Sequence, residues 1–271
     1  MSIKNSPIFD SLRNIRREIN LKKYQNMNKE MINRLRSYQN KHLGERCFLV
    51  AMGPSLTKED LEKIQDEVSF GCNKCFLIFN ESTWRPTYYS VADHLVVENA
   101  KEEIISVIND TSIECIFDNQ IKEQFSGYSD VIYVNQLSDL RNGYGFSDDL
   151  TRGYFSGTTV SYRMLQTAVF MGFKEIVILG MDFNFNIPKE SKDSHHNLVK
   201  DKILINDKEV NHFHKDYRKK GEKWTVPKLD IQIMAFEAAK AYAEKNSIQI
   251  LNASRNTKLE VFKKVNLESF L

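Results

Sequence analysis

Residues 46–56 read Arg46-Cys47-Phe48-Leu49-Val50-Ala51-Met52-Gly53-Pro54-Ser55-Leu56, an unbroken apolar run that ends at a Gly-Pro-Ser turn. A continuous apolar run suits a strand buried on both faces, as in a parallel sheet, rather than a strand with one wet face. Gly53 lets the backbone approach a ligand or another segment closely, Pro54 stiffens the turn, and Ser55 puts a hydroxyl near a helix start. Thr57 and Asp60, spaced as a capping box before Leu61, announce that helix. Strand, tight turn and helix form the opening unit of an α/β fold. The turn itself is either a phosphate cradle or an ordinary capped turn; no Gly-Lys-Ser/Thr follows, so it is not a Walker loop.

The same unit recurs outward from this stretch. Val68–Gly71, Thr87–Ala92, Ile113–Phe117, Val131–Val134, Glu175–Gly180 and Ile248–Leu251 read as further strands. Helices are predicted over 95–107, from Ser156-Gly157-Thr158-Thr159 through Val160, Met164, Leu165 and Ala168 to Gly172, and from Pro227 to Asn246. The alternation predicts a Rossmann-like α/β fold, a doubly wound and mostly parallel sheet with an N-terminal helical extension. Residues 1–44 are expected to form that amphipathic extension, with Phe9, Leu12, Ile15, Ile19, Met27, Met31 and Leu35 at near-helical spacing, packing on the rest or mediating homo-oligomerisation. Residues 45–271 are expected to form a nucleotide-binding catalytic α/β domain, and 184–226, which sustain no apolar period, a mobile loop or lid.

Composition narrows the function classes. The chain has 271 residues, 38 basic and 36 acidic, and a formal charge of +2, so bulk charge does not imply nucleic-acid binding. The basic residues nevertheless cluster, first at Arg13, Arg16, Arg17, Lys22, Lys23, Arg34, Arg36, Lys41 and Arg46, then at Lys215, Arg218, Lys219, Lys220 and Lys223. Each cluster is either a solvated face or a surface for an anionic partner. Cys47, Cys72, Cys75 and Cys115 occur without a signal-peptide pattern, which fits a reducing cytoplasm. Cys72 and Cys75 have C-x-x-C spacing but no second Cys or His pair, so no metal site is expected. No apolar run reaches the roughly 20 residues that span a bilayer; membrane contact would be peripheral, at the inner face.

Ligands of open parallel sheets lie at the carboxyl ends of the strands. The residues expected there are Gly53, Pro54, Ser55, Asn73, Asp93 and Asp182 to Asn184, joined from a helix start by Ser156, Gly157 and Thr158, whose N–H groups and hydroxyls suit an anion. Asp182 could ligate Mg²⁺, orient a sugar hydroxyl, or cap neighbouring N–H groups. His212 and His214 lie in the loop region and are candidate general bases or simply solvated side chains. His195 and His196 have no partner pattern.

Taken in order, Arg46 to Leu56, Phe70-Gly71-Cys72-Asn73, Ser156 to Thr159, and Gly172-Phe173-Lys174-Glu175-Ile176 to Leu179-Gly180-Met181-Asp182-Phe183 resemble two related groups. One is the bacterial sialyltransferase family of the Campylobacter lipooligosaccharide type. The other is the MptE-like domain family, which includes archaeal 6-hydroxymethylpterin diphosphokinases and domains of flagellin-glycosylation accessory factors. The resemblance covers roughly residues 45–262. Its sialyltransferase side implies a metal-free, inverting transferase with a CMP-sugar at Gly53 to Ser55, Asn73, and Ser156 with Gly157. A loop histidine would act as base ahead of a helix containing Asp230-Ile231, with His214 preferred to His212. Met52 stands where that family has an Asn, Asp93 where it has an Asn, and Asn184 where it has a Tyr. The expected donor therefore widens to acid sugars such as sialic acid, Kdo, legionaminic or pseudaminic acid, and the acceptor is a glycan or glycolipid of the bacterial surface. The MptE-like side implies the alternative, a Mg²⁺-dependent diphosphokinase with Asp93 and Asp182 holding the metal. A binding module without turnover is the third reading.

Overall fold

The computed structural model describes residues 7–137, 145–187, 201–208 and 210–271; His195, His196 and part of the 184–226 segment lie outside them. The chain opens with α1 (Pro7–Met27) and α2 (Lys29–Tyr38), followed by β1 (Arg46–Val50), α3 (Lys58–Lys63), β2 (Ser69–Cys72), β3 (Tyr88–Ser90), α4 (His94–Ile108), β4 (Glu114–Asp118) and β5 (Ile132–Val134). Two short strands, β6 (Gln136–Leu137) and β7 (Tyr154–Phe155), precede α5 (Val160–Phe170) and β8 (Glu175–Leu179). Then come β9 (Ile203–Ile205), β10 (Lys223–Thr225), α6 (Leu229–Lys245), β11 (Gln249–Asn252) and β12 (Lys263–Lys264).

Eight strands form one sheet in the order β12-β11-β8-β1-β2-β3-β4-β5, each adjacent pair parallel. This is the Rossmann-like, doubly wound sheet that the apolar runs predict. β1 and β8 lie side by side in register from Arg46 opposite Glu175 to Val50 opposite Leu179, and each buries its last four residues. Strand order runs one way from β1 through β5 and the other way from β8 through β12. Right-handed crossovers then put α5 and α6 on the face opposite α3 and α4, and the direction reverses between β1 and β8.

α5 is buried from Ser161 to Phe170, polar residues included. Gln166 is fully satisfied there: its Oε1 accepts from the N–H groups of Ser147 and Phe155, both at 3.0 Å, and its Nε2 donates to the carbonyls of Phe155 and Tyr162. One amide side chain thus fastens the 145–155 segment to the core.

Two parts of the expected organisation fare differently. Within the N-terminal extension, α2 packs on the rest of the chain: Ile32 and Leu35 belong to the same apolar core as β1, and Arg34 donates to the carbonyl of Asp130 at 2.8 Å. α1 packs less, with Ile15 57%, Ile19 60% and Met27 75% exposed; the side chains of Phe9 and Leu12 lie outside the described ones. The 184–226 segment, expected as loop throughout, contains the antiparallel ribbon of β9 and β10. Its inner residues Leu204 and Trp224 pack with Ile187 and Val226 in a small second core. Strands of three residues are too short to show a period of two.

Candidate functional site

The carboxyl ends of β1 and β8 interlock beside the point where strand order reverses. After β1 the chain is held to the β8 turn by the N–H of Ala51 donating to the carbonyl of Leu179 (2.8 Å) and that of Gly53 to the carbonyl of Gly180 (2.7 Å). A Cβ on Gly53 would stand 2.5 Å from the Gly180 carbonyl oxygen and 2.8 Å from Asp182 Oδ2. Gly180 has φ +65°, and a Cβ there would meet the Ala51 carbonyl oxygen at 2.4 Å. Gly180→Ala therefore combines a left-handed backbone with a backbone clash and is expected to lower unfolding stability by about 2–3 kcal/mol, measured as a shift of the urea midpoint.

Asp182 closes this knot. It is 5% exposed, and its carboxylate accepts from the N–H of Ser55 at 2.7 Å and from the Ser55 hydroxyl. The cradle expected for a ligand phosphate is thus filled by the protein's own carboxylate, and Ser55 does not line the cleft. Of the roles open to Asp182, the capping one is what the geometry displays. Asp182 itself also lines the neighbouring cleft, whereas Ser55 does not.

Beside the knot lies a cleft of about 400 Å³. Gly53, Pro54, Asn73, Asp93, Ser156, Thr158 and His212 line it; Gly157 and His214 do not. Gly157 instead sits over the Tyr162 ring, where a Cβ would meet Tyr162 Cδ1 at 2.4 Å. Three non-glycine residues on the cleft wall have positive φ: Asn73 (+48°), Thr158 (+56°) and Phe183 (+54°). Such conformations cost free energy, most for a β-branched Thr, and they gather where a site rather than the core dictates the backbone.

The two histidines separate. His212 stacks on Tyr217 with ring centres 3.8 Å apart and planes 3° from parallel, and the next residue, Phe213, donates its N–H to the carbonyl of Met52 at 3.0 Å. The loop is thereby pinned to the β1 turn, with His212 on the cleft wall. His214 turns away: its Nδ1 accepts from the N–H of Asp216 and its Nε2 lies 3.5 Å from Glu81. Of the two candidate bases, His214 being the preferred one from the sequence, only His212 lines the cleft. Burial holds the Tyr217 hydroxyl well above its ordinary range, against which a hydrogen bond with the Asn73 side chain works. Asn73 Oδ1 is itself buried without a hydrogen-bond partner among the described residues.

Cations face this wall. Arg163 of α5 pairs with Asp118 through Nη1 at 2.7 Å and donates through Nη2 to Ser156 Oγ at 3.0 Å. Arg218 lies 4.3 Å over the Trp224 ring, and Lys228 pairs with Asp201 at 2.8 Å. Thr159 caps α5, its side chain accepting from the N–H of Ser161. Helix start, hydroxyls and cations together suit a phosphorylated ligand. Arg218 belongs to the basic cluster that the sequence marks as a surface for an anionic partner, whereas Arg163 and Lys228 carry no such mark; for Arg163 the signal in the sequence is a charged residue inside the apolar period of α5.

Asp93 caps α4 by accepting from the N–H of Leu95 at 2.9 Å. No group of three or more His, Cys, Asp or Glu side chains suited to a metal occurs among the described residues. Cys72 and Cys75 are buried, which pushes the Cys72 thiol up to about 12 and the Cys75 thiol well above its ordinary range, so they act as small apolar residues. No helix among the described residues is long and apolar enough to cross a membrane.

A family model described as 6-hydroxymethylpterin diphosphokinase MptE-like matches residues 19–188, more than half of the chain. No curated protein matches. Among solved structures, the chain is similar to the sialyltransferase CstII of Campylobacter jejuni in complex with cytidine-5'-monophosphate, at 13% identity and a TM-score of 0.46, covering 83% of this chain and 86% of that one. A point mutant of an alpha-2,3/8-sialyltransferase CstII gives 16% identity and a TM-score of 0.45, with 82% and 86% covered.

Proposed function

The chain belongs to the MptE-like family, and from that premise we propose that it is a glycosyltransferase using a nucleotide-activated acid sugar, with CMP as the leaving group, in bacterial surface-glycan assembly. The observation that carries the reading is His212, held on the wall of a cleft that also contains the capped start of α5 and the cations Arg163 and Lys228. In this scheme the start of α5, the hydroxyls of Ser156 and Thr158, and Arg163 receive the donor phosphate. The open acceptor of Asn73 Oδ1 suits an exocyclic amino group such as that of cytosine. His212 takes the proton from an acceptor hydroxyl, the freed oxygen attacks the anomeric carbon from the opposite face, and the bond to the CMP oxygen breaks with inversion.

The family's description favours a second reading, transfer of diphosphate from ATP to a pterin-like alcohol. That chemistry leans on Mg²⁺. Asp93 and Asp182, the carboxylates nearest to such a role, already serve as an α4 cap and the Ser55 clamp.

Thermal unfolding with added nucleotide separates the two. A ligand at 100 times its Kd adds about 2.7 kcal/mol, enough to raise Tm by several degrees. CMP or CDP is expected to produce that rise without added metal, while ATP with Mg²⁺ does not. A rise with ATP and Mg²⁺ alone selects the diphosphokinase, and no response to any cytidine nucleotide overturns the transferase.

A further inference from the structure

The ribbon of β9 and β10 has a covered face and an open one. Leu204 and Trp224, opposite each other in the register, turn inward. Ile203 and Ile205 therefore project together from the other face, and they are 48% and 70% exposed. Lys223 stands directly opposite Ile205 on that face, and Lys219 lies in the turn that closes the ribbon, where its carbonyl accepts from Asn206 Nδ2.

Among the described residues the acidic groups Asp201, Asp207 and Glu222 of this region are each paired with a lysine other than Lys219 and Lys223. Glu222 points inward to Lys74 at 2.9 Å with side chains only 13% and 6% exposed, Asp201 pairs with Lys228, and Asp207 pairs with Lys220. Lys219 and Lys223 are exposed and have no ion-pair partner among the described residues. Two neighbouring β-branched side chains bordered by such lysines form a surface that is both apolar and positive. A second copy meeting it across a two-fold axis would bring the same lysines together, so self-association is opposed by charge.

We propose that the outer face of this ribbon docks the protein on the anionic surface of a lipid bilayer. Ile203 and Ile205 enter the interface while Lys219 and Lys223 lie among the anionic headgroups. Asp201 and Thr225, at the margins of the ribbon, also line the cleft, so docking brings the cleft mouth to the membrane surface. The proposal stands on the ribbon alone and does not depend on the reaction catalysed.

The test is co-sedimentation of the full chain with vesicles. Wild type is expected to pellet with phosphatidylglycerol-containing vesicles, to remain in solution with pure phosphatidylcholine, and to be released by high salt. Ile203→Ser with Ile205→Ser should weaken binding by about ten-fold or more, and Lys219→Gln with Lys223→Gln by about five-fold per lysine. All four positions are exposed, so unchanged Tm values will show that these variants fold. Absence of vesicle binding by the wild type, or undiminished binding by the isoleucine variant, overturns the proposal. So does a concentration-dependent dimer that the isoleucine variant abolishes, which would assign the face to a second copy.

Discussion

Asp118→Ala is expected to lower unfolding stability by about 3–5 kcal/mol, seen as a fall in Tm of roughly 10 °C or more. Asp118 ends β4 and is fully buried. Its Oδ2 pairs with Arg163 and accepts from the Tyr154 hydroxyl at 3.1 Å, while its Oδ1 accepts from the N–H of Gln120 at 2.7 Å. Alanine would leave a guanidinium in the interior without its counter-charge and a buried phenol without its acceptor, and the desolvation penalty of both then falls on the folded state. The double change Asp118→Ala with Arg163→Met should recover part of the loss, because it removes the orphaned charge along with its partner. A single variant within 1 kcal/mol of wild type would show that the pair is not the tie between β4 and α5 described above. The same variant should also weaken nucleotide binding, since Arg163 Nη2 is what orients Ser156 Oγ at the cleft.

The other large effect is on turnover. His212→Ala should reduce kcat by about 10²–10⁴-fold, the usual contribution of a positioned base, while donor binding read by nucleotide-induced stabilisation stays within a few fold. His214→Ala should leave kcat within a few fold, because that ring faces Glu81 and Asp216. Turnover in His212→Ala comparable to wild type would remove His212 as the base, whereas nucleotide binding with no measurable turnover in either protein would favour binding without catalysis. Loss of stability in His212→Ala is expected to be small beside the catalytic loss, since the ring's contact with Tyr217 is a stacking contact on the cleft wall.

Much of the fold was legible from residue order. Cys47–Ala51 and Glu175–Leu179 are buried on both faces, and such strands leave an unbroken apolar record. The Thr57 and Asp60 box is present at the start of α3, as its spacing implied, because capping is a contact over three residues and needs no tertiary partner. β9, β10 and β12 were not legible: two or three residues are too few to display a period, and their pairing depends on chain far away. The cleft was legible as a set of strand ends, but its chemistry was only partly so. Asn73 and Thr158 are among the residues expected there, whereas the role of Arg163 depends on Asp118, 45 positions earlier, which the sequence does not place beside it.

The sequence by itself determined the alternation of strand and helix and the mostly parallel sheet, because these follow from local periodicity, capping and chain connectivity; the strand order, with its reversal beside Gly53, comes from the tertiary structure. Only the tertiary structure decided what the polar residues at that reversal do. Ser55 and Asp182 look from the sequence like ligand groups, yet each satisfies the other, and of two histidines separated by one residue only His212 reaches the cleft. The physical reason is that a hydrogen bond or ion pair between groups far apart in the chain depends on distance and burial, and neither is encoded in the residue types alone.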